Sequence, residues 1–451
     1  MLLAMKPLIL LLALALLDNA PACAQWTLQP FTFSHTIAPY PPNVATINIV
    51  DAQTVWATSI NQYSGFYFGS NEVGRTTDGG TTWTVGTVAG IDFYNEIISD
   101  VKGLSDSTAL ICTSSPVSRG RILKTVDGGV TWTTQTTAGQ LTSPDSYADF
   151  FAFFSATEGI CVGDPIVSLN SHFELYRTLD AGTTWTAVNT AAMPVSLLGE
   201  FATTTSGACL NDNVWFATNA GRVFRSIDKG VTWTVSSTAL TSCGNIAFRD
   251  ALNGLFFVPY GGGMVQTTDG GATWQPVAYT GPAHERIRHV PGTGQYLSAG
   301  QGPDAGSSCS RDNGATWTAL ETTRSHFDLA VLSSTVAWSA AVKHTATLRT
   351  GLGVYRLTSS VLGTSVPTVL PANLLSIAPN PSTDGRFVVT LAAGVQAEGY
   401  TVLDALGRLV LVRTMPPAAT CQLDLSPQAP GLYTLQLRTN HGISQQKLVR
   451  H

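Results

Sequence analysis

One eight-residue signature occurs six times in this chain, at Thr76–Trp83, Thr125–Trp132, Thr178–Trp185, Ser226–Trp233, Thr267–Trp274 and Ser310–Trp317. Each copy reads Ser/Thr-x-Asp-x-Gly-x-Thr-Trp. The aspartates are Asp78, Asp127, Asp180, Asp228, Asp269 and Asp312, spaced 41 to 53 residues apart. A period of this size belongs to one supersecondary unit repeated around an axis or along a rod. The octet itself has hairpin-turn chemistry. Its Gly supplies a positive φ, and its Asp accepts from backbone N–H groups a few residues on. Thr and Trp then open the next strand. A Trp at the same place in every copy is expected to wedge against the next unit.

A strand precedes each turn, as in Val73-Gly74-Arg75, Leu175-Tyr176-Arg177 and Val223-Phe224-Arg225. Upstream of each lie two short apolar runs, such as Thr46–Val50 with Val55–Thr58 and Asn245–Phe248 with Gly254–Val258. These octets resemble the Asp-box, or BNR, repeat of sialidases, sortilin-type receptors and the photosystem II assembly-factor family. The resemblance covers about residues 25–357 and implies a β-propeller with each box between the outer two strands of a blade. The boxes then lie on the periphery, so the six aspartates are read as structural. One carboxylate per box is also too few for a strong metal site.

A seventh pair of runs, Phe327–Val331 and Val336–Ala340, has no octet after it. It is followed by Val354-Tyr355-Arg356, which matches Leu175-Tyr176-Arg177. The missing fourth strand has a counterpart at the other end of the chain, where Gln25-Trp26-Thr27-Leu28 looks like Thr82-Trp83-Thr84-Val85. The sequence therefore predicts an all-β protein: a seven-bladed propeller over residues 25–357 whose last blade is closed by the N-terminal strand. Closure removes exposed sheet edges. A six-bladed ring would leave one strand pair unplaced.

Lys6, the apolar stretch Pro7–Leu17 and Ala22-Cys23-Ala24 read as a secretory signal over residues 1–24. The rival reading is a lipoprotein acylated on Cys23, for which Ala20-Pro21-Ala22 is a poor match. Residues 358–373 form a Ser/Thr/Pro-containing linker. Beyond it the landmarks are Pro379-Asn380-Pro381, Gly385-Arg386-Phe387, Val402-Leu403-Asp404, Gly407-Arg408, Leu423–Ser426, Gly431-Leu432-Tyr433 and Lys447-Leu448-Val449. This tail, residues 374–451, resembles the type A C-terminal sorting domain of the type IX secretion system. The resemblance implies a small Ig-like β-sandwich and export to the medium or cell surface. An ordinary glycan-binding accessory module is the bland alternative.

Six cysteines follow the signal: Cys112, Cys161, Cys209, Cys243, Cys309 and Cys421. Secretion permits disulfides, and Cys209 with Cys243 is the first pair to test. Cys112 and Cys161 sit in corresponding apolar strands and read as small core residues. Charged residues make up 12% of the chain and the net charge is −5, which argues against nucleic acid as a partner. No Cys/His zinc spacing, Walker loop or dinucleotide fingerprint is present, so no cofactor or metal is expected.

A sialidase needs converging arginines, a Tyr nucleophile with its Glu, and an Asp acid. Residues 25–60 contain no arginine, and Arg75, Arg177, Arg225 and Arg356 recur with the fold, which reads as stem packing and pairing with local carboxylates. Ligands of propellers sit near the axis. Aligning the innermost strands places Glu96, Asp149, Glu200, Asn245, Arg286 and His326 at their entrances. These differ from blade to blade, and specificity can reside in such variation on a regular scaffold. Gly163-Asp164-Pro165 marks a longer connection at the same rim, and His284–His289 is the densest charged cluster. The leading reading is a non-catalytic, monomeric propeller binding an extracellular protein or glycan. The alternatives are a secreted glycosidase using Asp149, Glu200 or Glu285, and an assembly or folding factor.

Overall fold

The computed structural model describes residues 26–34, 41–63, 66–68, 71–115, 119–141, 147–165, 171–344, 349–357, 375–392, 394–404, 409–439 and 442–451. The signal segment expected at residues 1–24 and the linker expected at 358–373 lie outside the described residues. The chain divides into two compact units, residues 1–362 and 363–451.

The first unit is a seven-bladed β-propeller of antiparallel sheets. Blade 1 runs outward through Asn43–Ile49, Val55–Tyr63, Glu72–Thr76 and Thr84–Thr87, with Phe66–Phe68 pairing to its second strand. The innermost strands of blades 2 to 7 are Ile97–Gly103, Ala148–Phe153, Gly207–Leu210, Asn245–Phe248, Arg286–His289 and Ser325–Ser333. Blade 7 is completed by Trp26–Gln29, which pairs with Arg349–Leu357 in the register Trp26↔Leu357 to Gln29↔Val354.

Each octet closes the hairpin between the third and fourth strands of its blade. In the third copy Asp180 Oδ1 accepts from the Thr178 hydroxyl at 2.9 Å and the Thr184 N–H at 2.9 Å. Its Oδ2 accepts from the Thr184 hydroxyl at 2.7 Å. The two residues after the Asp are both left-handed, as at Ala181 (φ 58°) and Gly182 (φ 77°), which is the primed-turn geometry that suits twisted strands.

Seven apolar clusters fill the seams between successive blades. Trp132 of blade 2 sits with Trp56 of blade 1, and Trp274 of blade 5 with Trp215 of blade 4. The octet tryptophan thus packs against the preceding blade, not the next one. The reason is directional: the fourth strand leaves the turn with its Trp side chain on the face turned back toward the previous sheet. Trp26 fills the corresponding place between blades 6 and 7, where its indole N–H donates to Ser307 Oγ at 3.0 Å. The recurring arginines reach forward instead. Arg75 donates to Asp106 O, Arg225 to Asp269 O and Arg356 to Gly79 O, each on the following blade. Their partners are backbone carbonyls rather than the local carboxylates expected.

The second unit is a small sandwich. Leu375–Ala378, Arg386–Leu391 and Thr420–Asp424 form one sheet. Leu409–Ala418, Ala397–Leu403, Gly431–Thr439 and Gly442–Arg450 form the other. Alternate residues Phe387, Val389, Val402, Leu423, Leu435 and Leu437 fill its core, as the period-2 pattern requires.

Candidate functional site

The innermost strands begin around one mouth of the central channel. A cavity of about 750 Å³ opens there, and all seven blades contribute to its wall. Four of these strands carry a register irregularity, lying between Val44 and Ile47, Ile98 and Asp100, Ala148 and Phe150, and His326 and Leu329. A bulge re-aims a side chain that strict alternation would bury. Thr46, Ser99, Asp149 and Phe327 sit in these bulges, and all four line the cavity.

The six rim residues divide into two sets. Asp149, Glu200, Asn245 and Arg286 line the cavity, together with Asp164 and Glu285. Glu96 and His326 do not; each is buried in its own blade. Glu96 accepts from Thr113 Oγ1 at 2.6 Å and Arg121 Nε at 2.9 Å. His326 bridges Ser339 Oγ at 2.5 Å and Glu321 Oε1 at 2.9 Å, and its ring lies 5.0 Å from that of Trp26. Burial lowers the His326 pKa. Burial alone would raise Glu321, but His326 and the N–H groups of Arg324 and Thr323 outweigh it and hold Glu321 at about 2.

Glu200 repeats the Glu96 arrangement. It accepts from Thr218 Oγ1 at 2.6 Å, Arg222 Nε at 2.9 Å and the Leu197 N–H at 2.8 Å. Asn245 is also committed, donating to Glu285 O at 3.0 Å and accepting from Arg288 at 3.1 Å. Arg286 donates to Phe327 O at 3.1 Å and pairs with Glu285 at 3.3 Å. Glu285 in turn accepts from Tyr260 at 3.3 Å and Gln301 at 3.2 Å. Burial, with Glu285 and Asp304 adding to it, pushes the Tyr260 phenol up to about 12.

Asp149 and Asp164 are in contact with each other. Burial raises Asp149 well above the ordinary carboxylate range, and the charge of Asp164 adds to it. Burial likewise raises Asp164 to about 7, against the pull of the Ala202 N–H, whose bond is 2.8 Å long. Two touching carboxyls in such a site share a proton at neutral pH. The pairing was not legible from the repeat alignment, because Asp164 ends the second strand whereas Asp149 stands in the bulge of the first. The available signal was the Gly163-Asp164-Pro165 connection, which brings an acid to a place where blades 2 and 4 carry Ser114 and Asn219.

Deeper in the channel a second cavity of about 280 Å³ is lined by Asp100, Arg288 and Asp328 among others. Asp100 accepts from the Phe151 N–H and Asp328 from the Ile47 N–H, both at 2.9 Å, so these acids clip one blade to the next. Cys209 lines this lower cavity and Cys243 the upper one. All six described cysteines are free thiols, so the Cys209–Cys243 pair is not bridged. Among the described residues no group of three or more His, Cys, Asp or Glu side chains is placed to hold a metal ion.

Residues 376–451 match the family model of the secretion system C-terminal sorting domain. This domain marks proteins exported by the type IX system, so the chain is secreted or held at the cell surface. Among the described residues no helix is long and apolar enough to cross a membrane. No curated protein matches the chain. Among solved structures it is similar to YCF48 from Cyanidioschyzon merolae, at 15% identity and a TM-score of 0.51, over 74% of this chain and 99% of that one. A structure of YCF48 bound to D1 peptide matches at 16% identity and a TM-score of 0.47, over 73% and 99%. A GH74 enzyme of Niastella koreensis matches at 15% identity and a TM-score of 0.28, over 90% and 68%. At these identities the first likeness is one of fold, and the other two are too distant in shape to argue from.

Proposed function

We propose that this chain is an exported, non-catalytic binding protein whose propeller, residues 25–357, holds part of an extracellular protein or glycan in the funnel at the mouth of its channel. Residues 1–24 act as the secretory signal, 358–373 as the linker, and 374–451 address the chain to the type IX machinery. The protein works as a monomer, without cofactor or nucleic acid. The observation that carries this reading is the cavity of about 750 Å³, lined from every blade by side chains that do not repeat. Concave, partly apolar pockets with a few placed polar groups are the usual form of a ligand site.

The groups a hydrolase would need are otherwise engaged. Glu200 is clasped by Arg222. Asp149 and Asp164 touch, whereas glycosidase carboxyls stand roughly 5 Å or more apart to flank the bond they cleave. Tyr260 has the Glu285 neighbour of a sialidase nucleophile, yet its raised pKa opposes ionisation. Arg225 and Arg356 point to octet turns and Arg75 to the turn at Asp106 of the next blade, none of them to the funnel. The likeness to YCF48 is one of fold and does not favour an assembly role.

The test is a panel of extracellular polysaccharides and polypeptides, assayed for binding and for cleavage by the intact protein. Affinity without cleavage, weakened by Arg286→Ala, is expected. Turnover of any panel member would overturn the reading.

A further inference from the structure

The connection that leads into blade 4 presents an apolar surface to solvent. Between Pro194 and Phe201 four large apolar side chains, Val195, Leu197, Leu198 and Phe201, are each between 42% and 69% exposed. The two polar side chains of this stretch, Ser196 and Glu200, are buried instead. Ser196 N–H donates to Ser171 O at 2.8 Å, and Glu200 is held by Arg222. The Glu200 N–H donates to Leu197 O at 3.0 Å, closing a turn with Gly199 at φ 73° in third place and Leu198 at the tip. From behind, Asn219 donates to Gly199 O at 3.0 Å and accepts from the Phe201 N–H at 2.9 Å. Gly199, Glu200 and Phe201 continue into the wall of the upper cavity, beside the apolar Ala202, Cys243 and Pro259. The clasp itself does not require this surface. Blade 2 builds the same frame: the Glu96 N–H donates to Asp92 O at 2.8 Å, and Arg121 donates to Gly90 O at 2.8 Å as Arg222 does to Val195 O. That copy exposes Asp92, Tyr94 and Asn95, and none of residues 90–96 lines the cavity. A contiguous exposed apolar patch that the fold does not need marks an interaction surface.

From this juxtaposition we infer that the blade 4 turn, with Leu198 at the rim and Phe201 on the cavity wall, is the docking surface for an extracellular polypeptide that inserts a large apolar side chain into the funnel. The inference rests on the funnel-binding reading and names the class of partner bound there. The chemistry of the turn separates a polypeptide from the other occupants. A sugar ring laid on it would give up the water around its hydroxyls and meet leucine, valine and phenylalanine, with Ser196 and Glu200 already engaged behind them. Unmatched hydroxyls make that contact unfavourable. A bilayer is flat, whereas the turn borders a hollow of about 750 Å³, which a projecting side chain can fill. The turn is also fixed before binding, by Arg222, Asn219 and its own Glu200–Leu197 bond. A partner therefore gains apolar burial without the cost of ordering the loop.

Titration calorimetry of the full chain with acetylated, amidated heptapeptides of serine and glycine tests this, the central residue being phenylalanine, leucine or serine. Cellohexaose and phosphatidylcholine vesicles are the comparison probes. The phenylalanine and leucine peptides are expected to bind about 10- to 100-fold tighter than the serine peptide, the worth of burying one large apolar side chain. Phe201→Ser and, separately, Leu198→Ser are expected to remove most of that preference at unchanged melting temperature. Leu198 is the most exposed of the four, so its variant serves if Phe201→Ser does not fold. Tyr94→Ser, on the blade 2 copy of the clasp, should leave the preference intact. Equal or undetectable binding of the phenylalanine and serine peptides overturns the inference, as does a preference that survives both blade 4 variants. Adsorption to the vesicles that Leu198→Ser abolishes also overturns it. Tighter binding of cellohexaose than of the phenylalanine peptide, without cleavage, overturns it and leaves the binding reading standing. Cleavage of the phenylalanine peptide, with its preference lost in both variants, would do the reverse.

Discussion

At the residue scale the channel acids show how one side-chain type serves opposite ends. The octet aspartates are exposed or half-buried and saturated with donors: Thr82 and Thr131, through hydroxyl and N–H, hold Asp78 and Asp127 at about 2. Asp100 Oδ2 accepts from the Phe151 N–H of the next blade, and the residue is half-buried on the wall of the lower cavity; desolvation there raises it to about 7, with Asp328 adding to the rise. A carboxyl whose folded pKa lies above its unfolded value near 4 favours the folded state only while protonated. That contribution is fully present below about pH 4 and is lost as pH rises to about 7. Asparagine keeps an acceptor for the Phe151 N–H but cannot ionise. Asp100→Asn is thus expected to be more stable than the parent at pH 8, by on the order of 1 kcal/mol or more, with the gain shrinking toward pH 4.5. Urea unfolding at the two pH values reads this directly. An equal effect of the substitution at both would show that ionisation of Asp100 carries no cost.

At the element scale the same clasp occurs twice, where a blade hands the chain to the next. Glu96 and Glu200 stand at the end of such connections, and each ties its loop to the third strand of the blade it enters, through Arg121 and Arg222. Arg222 also donates to Val195 O at 2.9 Å and so holds the loop on both sides. Truncating one member of a buried pair strands the other charge. Arg222→Ala is expected to cost about 3 kcal/mol. The double change Glu200→Gln with Arg222→Met should recover part of that loss, because it leaves no unpaired charge. Denaturant midpoints of the three variants check this, and a double variant no more stable than Arg222→Ala would contradict it. These clasps also mark where the sequence stops being legible. Strands, turns and blade number follow from short-range patterns: the octet, period-2 runs and the Trp26 match. Glu96 and Glu200 align with Asn245 and Arg286, yet Arg121 and Arg222, more than 20 residues on, clasp them alike while only Glu200 reaches the cavity wall. Bulges at Asp149 and Phe327 likewise turn side chains toward the axis, and no local preference encodes them.

At the scale of the whole propeller, the ring has one weak joint. Six blades are each made from consecutive strands, whereas blade 7 depends on four residues from the far end of the chain, paired at Trp26↔Leu357 through Gln29↔Val354. Loop closure over the whole ring must be met before that contact gains anything, so the joint forms late. Its strength lies mainly in Trp26. The indole is buried between blades 6 and 7, lies 5.0 Å from the His326 ring and donates to Ser307 Oγ. Trp26→Ala removes that wedge and is expected to cost about 3–5 kcal/mol. Removing residues 26–29 exposes the edge of Arg349–Leu357 as well, and an unpaired edge templates association with other chains. The deletion is thus expected to lower the melting temperature more than Trp26→Ala does, and to give concentration-dependent oligomers by light scattering. Amide exchange should speed up first in blade 7 and its seams with blades 6 and 1, while the blade 3–4 seam stays protected. A deletion variant that remains monomeric with the parent's melting temperature would mean that the other six blades hold the ring without its latch.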